Sequence, residues 1–107
     1  MITISKDQNC LTLVNFFTVK PENQDALIQL LISCTDEFIS ECPGFISASY
    51  HKGIDGKTVV LYAQYENMEA FQNVINSEGG KRMVAEGTKL AEAAHRGLCQ
   101  VADTRTS

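Results

Sequence analysis

Positive charge is scarce in this sequence, and no stretch concentrates it. The 107 residues carry nine lysine and arginine side chains against thirteen aspartate and glutamate side chains, a net charge of −4. Nucleic acids are bound largely through clustered positive charge. We therefore expect no nucleic-acid partner.

Long apolar runs and cofactor motifs are also missing. No run approaches the roughly 18 apolar residues of a membrane-spanning helix, and the segment MITISKDQNC has no charged lead followed by an apolar stretch. These absences predict a cytoplasmic protein without membrane contact. Neither GxGxxG nor a P-loop occurs.

The four cysteines are widely spaced: Cys10, Cys34, Cys42 and Cys99. They form no CxxC pair and no Cys/His ligand spacing, so we predict that there is no metal site. Reduced thiols suit a cytoplasmic protein, with disulfide pairing as the alternative.

A chain of this length, 44% hydrophobic, suits one domain with a modest core. We predict a single domain over residues 1–107. Its core would span about 11–102, and the polar segments 1–9 and 103–107 would be loose ends.

Periodicity predicts alternating strands and helices. LTLVNFFTV is typical of a strand over 11–19, and Pro21 opens a helix over 22–41. Two alternating segments, 45–52 and 57–65, would be joined by a two-residue Asp55-Gly56 turn. The remaining predicted elements are a helix at 68–76 capped by Asn67, a break at 77–80, a helix at 81–94 and a strand at 98–102.

The predicted order β-α-β-β-α-β is the ferredoxin-like pattern of an α+β fold, with both helical regions on one face of an antiparallel sheet. The first and third strands are apolar on both sides: Leu13 opposes Val14, and Leu61 opposes Tyr62. No predicted element remains to cover the second face. We therefore expect a homodimer joined sheet to sheet.

Several segments resemble the antibiotic biosynthesis monooxygenase family, most densely between residues 43 and 71. They are LVNFFTVKP, PGFISASYH, the DG turn and VVLYAQYENMEAF. The resemblance implies a dimeric α+β barrel, and family members include cofactor-independent oxygenases that convert anthrones into quinones. It therefore implies a small aromatic substrate, no cofactor and O2 as co-substrate.

In the anthrone oxygenases of this family the third strand reads close to VVNYAQW. Here Leu61 takes the place of the asparagine, Tyr65 that of the tryptophan and Phe71 that of a tyrosine in the following helix. Haem-degrading relatives use an asparagine on the first strand, which Asn15 matches. Their helical tryptophan and histidine are absent, since Val74 and Val84 stand nearby.

Three residues are the predicted catalytic set. Asn15, on an otherwise apolar strand face, is either hydrogen-bonded structure or a pocket group that orients the substrate. His51, which shares a predicted face with Phe45, would take a proton if it is not merely structural. Tyr65 would stack on the ring or simply pack in the core. The remaining predicted pocket residues are Phe17, Leu61, Phe71 and Arg82.

The leading hypothesis is a monooxygenase that oxidises a small phenol, hydroquinone or anthrone with O2. One alternative is a non-catalytic protein whose pocket holds haem or another small ligand. The other is a structural dimer whose core is filled by its own side chains.

Overall fold

The computed structural model describes residues 1–107 and contains four strands and three α-helices. In chain order these are β1 (Leu11–Val19), α1 (Gln24–Glu37), β2 (Phe45–Lys52), β3 (Thr58–Tyr65), α2 (Met68–Asn76), α3 (Glu78–Leu90) and β4 (Ala91–Cys99).

The strands form one antiparallel sheet in the order β2-β3-β1-β4, which confirms the predicted ferredoxin-like α+β fold. One face of β1 and β3 packs on the helices, and the core lies between them. Leu13, Val59 and Leu61 come from the sheet, and Leu27 and Leu31 from α1. None of the helices combines the length and apolarity needed to cross a bilayer.

Local sequence signals determine several boundaries. β1, β2 and α2 begin and end at the predicted residues. The Asn67 side chain accepts a hydrogen bond of 2.9 Å from the backbone N–H of Ala70, so it caps α2 as expected. The predicted helix over 22–41 is divided, with 3-10 turns at Pro21–Asn23 and Ile39–Glu41 on either side of α1.

The predicted two-residue turn between β2 and β3 is wrong, because residues 53–57 form a longer loop. The Asp55 carboxylate accepts hydrogen bonds from the Lys57 N–H at 2.8 Å and from the Thr58 hydroxyl at 2.9 Å. Gly56, at φ 76°, occupies the left-handed region that glycine tolerates. Asp55 thus stabilises this longer loop through hydrogen bonds, and the tight turn does not form.

The C-terminal boundaries are also wrong in the prediction. Ser77 caps α3 by accepting from the Gly80 N–H at 3.1 Å, so the helix begins before the glycine pair. The helix ends at Leu90 instead of Ala94, and AEAAHRGLC is the strand β4. Pairing with β1 overrides the helix propensity of its alanines.

A bulge in β2 changes which residues share a face. The pairing of β2 with β3 shifts register between Phe45 and Ser47, so the predicted alternation fails there. The Phe45 ring packs on Tyr65 on the helix side of the sheet. Ser47 lies on the other side, where its hydroxyl donates to Gln64 at 2.6 Å.

The second sheet face is partly covered by the chain's own ends, contrary to the expectation that no element could reach it. Gln64 is fully buried there and donates to the Thr3 carbonyl at 2.7 Å. Ile4 and the segment 99–104 border a surface pocket beside Tyr62. Phe16 stays 48% exposed, so an apolar patch remains open.

Candidate active site

Two adjoining apolar cavities lie on the helix side of the sheet. The inner one, of about 80 Å³, is lined by β-strands and by residues of all three helices, and 12 of its 16 lining residues are hydrophobic. The outer one, of about 320 Å³, lies between β1, β4 and α3. Asn15, Met83 and Val84 line both.

Asn15 lies where the two cavities meet. It sits in the middle of β1, where Leu61 of β3 pairs with it on one side and Arg96 of β4 on the other. Its side-chain oxygen Oδ1 is buried and has no hydrogen-bond partner. A buried acceptor without a partner costs about 1–3 kcal/mol. The arrangement therefore suits a ligand that donates a hydrogen bond to Asn15.

Tyr65 forms the aromatic wall of the inner cavity. Its ring is 4% exposed and packs edge-on against Phe45 at 6.0 Å and Phe71 at 5.5 Å between centroids. Burial, with a smaller contribution from the charge of Tyr50, raises the pKa of Tyr65 to about 12. Its hydroxyl is therefore neutral at physiological pH.

A pair of hydroxyls lies against the same cavity. The Tyr50 hydroxyl donates to Thr35, and the Thr35 hydroxyl donates to the Leu31 carbonyl at 2.8 Å. Burial raises the pKa of Tyr50, and the hydrogen bond with Thr35 partly opposes this. Both hydroxyls are thereby satisfied within the protein, and Thr35 lines the cavity as a fixed polar group.

Arg96 is a further residue of the inner cavity, outside the set predicted from the sequence. The predicted helix over 81–94 would end just before His95 and Arg96, but both residues belong to β4. Arg96 lines the inner cavity, and its guanidinium carbon lies 5.3 Å from the centroid of the Phe71 ring. Only the register of β4 against Asn15 reveals this position, and no local sequence signal predicts it.

The structure brings four predicted residues to the inner cavity and one to the outer. Asn15, Leu61, Tyr65 and Phe71 line the inner cavity, and Phe17 lines the outer one.

The other two predicted residues lie elsewhere. His51 is exposed, pairs with Val60 and contacts the Ser49 hydroxyl at 2.9 Å. His51 lines neither cavity, so its position does not favour the predicted role of accepting a proton. Arg82 is also outside, because it is held by Glu37 at 3.3 Å and Glu86 at 3.1 Å on the helix surface. Arg82 therefore lines neither cavity.

No group of three or more histidine, cysteine, aspartate or glutamate side chains is arranged to hold a metal ion. All four cysteines are free thiols in this structure: Cys10 and Cys34 are buried, Cys42 is half-buried and Cys99 is exposed.

Comparison with known proteins identifies relatives of this chain. The model of a family described as antibiotic biosynthesis monooxygenase matches residues 10–86. The chain is 43% identical over 72 residues to tetracenomycin-F1 monooxygenase of Streptomyces glaucescens. These aligned residues cover 67% of this chain and 64% of that protein. The match thus spans less than two thirds of the relative's length.

Two solved structures share the fold over nearly the whole chain. One is a monooxygenase from the gene ActVA-Orf6 of Streptomyces coelicolor, in complex with nanaomycin D. It is 26% identical, has a TM-score of 0.79 and covers 94% of this chain and 95% of its own. The other, SnoaB of Streptomyces nogalater, is described as a cofactor-independent oxygenase. It is 22% identical and has a TM-score of 0.74, and the match covers 90% of this chain and 96% of SnoaB.

Proposed function

Because this chain belongs to the antibiotic biosynthesis monooxygenase family, we propose that it oxidises a small aromatic phenol, hydroquinone or anthrone with O2 and without a cofactor. The similarity to tetracenomycin-F1 monooxygenase, and SnoaB's description as cofactor-independent, support this class of reaction. The substrate would enter through the outer cavity, whose volume of about 320 Å³ lies within the range of small-molecule sites, roughly 300–1,000 Å³.

The observation that carries the proposal is the unpartnered Asn15 oxygen in an apolar cavity. A phenolic hydroxyl would donate to that oxygen, and the amide N–H groups would stabilise the anion formed when the substrate loses a proton. Tyr65 and Phe71 would pack against the aromatic ring. Leu61 and Phe17 would provide apolar walls.

For an anthrone the overall step would be CH2 plus O2 giving a carbonyl plus water. The substrate anion would give one electron to O2. The resulting substrate radical and superoxide would then combine to form a carbon–oxygen bond. Breaking the O–O bond would leave the carbonyl and release the second oxygen as water. Glu92, in the wall of the outer cavity, is the single carboxylate that lines either one, and it is exposed so that it could pass the proton to solvent.

We also propose a homodimer formed through the second sheet face, in a cytoplasmic protein. Phe16 is 48% exposed at the middle of β1, and Val14, Val60 and Tyr62 around it are only partly buried. A second copy would cover this patch, since monomeric proteins rarely leave contiguous apolar surface open.

A binding protein without turnover is the second candidate. It is favoured by Leu61, which offers no hydrogen-bonding group where the family resemblance leads us to expect an asparagine. In its haem version, titration with haem would shift the Soret band; an unchanged spectrum would remove that version.

Oxygen uptake tests the proposed activity. The purified protein, treated with a chelator, would be mixed with a panel of hydroquinones and anthrones in an oxygen electrode. We expect turnover above the buffer rate for at least one compound, and a lower rate for Asn15→Leu. Binding of these compounds without any turnover would instead support the binding protein.

A further inference from the structure

The N-terminal arm, residues 1–9, lies on the second sheet face and is attached to it by few contacts. The fully buried Gln64 amide donates a hydrogen bond of 2.7 Å to the Thr3 carbonyl. The backbone hydrogen bonds that involve the arm stay within residues 5–10, so none of them joins the arm to a strand. A segment with so few attachments opens more readily than the core of the sheet.

Ile4 of the arm borders the apolar patch around Phe16. It lines a surface groove together with Val14 and Tyr62, and Ile4 itself is 51% exposed. Two packed sheets lie about 10 Å apart, and their side chains fill the space between them. A backbone segment that lies on one sheet therefore keeps a second sheet from packing at the same place.

The end of the face that the arm covers also holds an unsatisfied group. Thr12 is the direct antiparallel partner of Gln64, and its hydroxyl is buried without a hydrogen-bond partner. A buried hydroxyl without a partner is unfavourable, because it has lost its contact with water. The ion pair between Lys6 and Asp103, 3.7 Å long and partly exposed, adds little. The closed position of the arm is therefore only weakly stabilised.

We propose that the N-terminal arm and a second copy of this chain compete for the second sheet face, so that the homodimer forms when both arms are released. The inference rests on the homodimer proposed above and adds a conformational step to its formation. The family model begins at residue 10, so the arm lies outside the matched residues. The dissociation constant of the dimer then depends on the fraction of chains whose arm is open.

Two measurements on the full chain test this competition. Sedimentation equilibrium gives the dissociation constant of the dimer. Limited proteolysis with lysyl endopeptidase, followed by intact mass, gives the rate of cleavage after Lys6. Cleavage requires an open segment, so this rate follows the released fraction of the arm.

The principal variant is Ile4→Asp, which puts a charge into the apolar groove and leaves the sheet itself unchanged. Its matched control is Ile54→Asp, at a fully exposed loop position. A second variant, Gln64→Met, removes the hydrogen bond to the Thr3 carbonyl. Thermal unfolding of each variant would show that the fold is retained.

We expect Ile4→Asp to accelerate cleavage after Lys6 by about 3-fold to 10-fold, as for the loss of a partly buried aliphatic contact. Because the dimer needs two released arms, its dissociation constant should fall by about 10-fold to 100-fold. Gln64→Met should change both quantities in the same direction, and Ile54→Asp should match the wild type. In the wild type, cleavage after Lys6 should become faster as the protein concentration rises and the dimer forms.

Faster cleavage of Ile4→Asp with an equal or higher dissociation constant would overturn the inference and leave the homodimer in place. Cleavage of the wild type that slows or stays constant as the dimer forms would have the same meaning. If neither Ile4→Asp nor Gln64→Met accelerates cleavage, the arm is not held as described and the inference fails. A wild type that does not dimerise removes the dimer proposal together with the inference, whereas oxygen uptake decides the proposed oxidation separately.

Discussion

Asn15 and Arg96 are direct partners across the antiparallel pair of β1 and β4, and both line the inner cavity. Both residues belong to regular strands of one sheet, so the backbone fixes the separation of their Cα atoms before any ligand arrives. Sites built on strands are held more precisely than sites on loops. The cavity thus carries two polar residues on neighbouring strands within a mostly apolar lining, and each of the two can be substituted separately.

Replacing Asn15 by leucine should lower the turnover without lowering the free energy of unfolding. The change removes a buried acceptor that has no partner, so we expect the free energy of unfolding to stay equal or to rise, by up to about 1–3 kcal/mol. Turnover should fall about 100-fold to 1,000-fold, as when one group that stabilises an anion is removed. Urea unfolding and oxygen uptake measure the two effects.

The control for that variant is Asn73→Leu, at an exposed position on α2. It should change both quantities little, since surface substitutions stay within about 0.5 kcal/mol. A large loss of stability in Asn15→Leu would show that Asn15 is a structural residue.

Two glycines of α3 should respond in opposite directions to alanine. A Cβ on Gly80 would collide with the Val74 carbonyl, whereas a Cβ on Gly87 would meet only the Leu27 side chain at 3.9 Å. Gly80→Ala should therefore cost about 1–3 kcal/mol of unfolding free energy. Gly87→Ala should gain about 0.5–1 kcal/mol from helix propensity. Equal effects in urea unfolding would contradict the close packing of α2 on α3.

Tyr65 should make the fold sensitive to alkali. Its pKa is raised from 10.0 to about 12 in the folded state, so the folded protein holds a proton that the unfolded chain loses between those values. Its contribution to stability is complete below pH 10 and is lost as the pH rises toward 12. The loss should be about 1.4 kcal/mol per pH unit in that interval.

The measurement is urea unfolding at pH 8, 10 and 11 for the wild type and Tyr65→Phe. The difference in unfolding free energy between the two should shift in favour of the variant as the pH increases, because phenylalanine does not ionise. A constant difference would show that the Tyr65 hydroxyl is not buried as described.

The second sheet face should join two copies of the chain. We expect sedimentation equilibrium to give twice the chain mass for the wild type. Phe16→Lys should give the single-chain mass, because it puts a charge into the apolar patch. Ile54→Lys, which changes a fully exposed loop residue, should stay dimeric. A wild type that sediments as a single chain would remove the dimer proposal.

The sequence predicted the elements whose signals are local. The alternation in LTLVNFFTV and the Asn67 cap act within a few residues, and β1 and α2 accordingly have the predicted ends. The fold class followed from the order of these elements.

The errors arose where distant parts of the chain decide the outcome. Residues 91–97 contain helix-favouring alanines but pair with β1 as part of β4, so Arg96 could not be assigned to the cavity in advance. Gly79 and Gly80 looked like a helix break because their close contacts with Phe38 and Val74 are invisible locally. His51 was placed with Phe45 because a bulge leaves little trace in the sequence.

The most direct test of the proposed oxidation is mass spectrometry of the product formed from anthrone under 18O2, with the chelator-treated protein. We predict anthraquinone that carries one 18O atom, formed with one O2 consumed per anthrone, at a rate that clearly exceeds both the protein-free reaction and that of Asn15→Leu. Anthraquinone formed no faster than in buffer would contradict the account, as would a rate equal to that of Asn15→Leu.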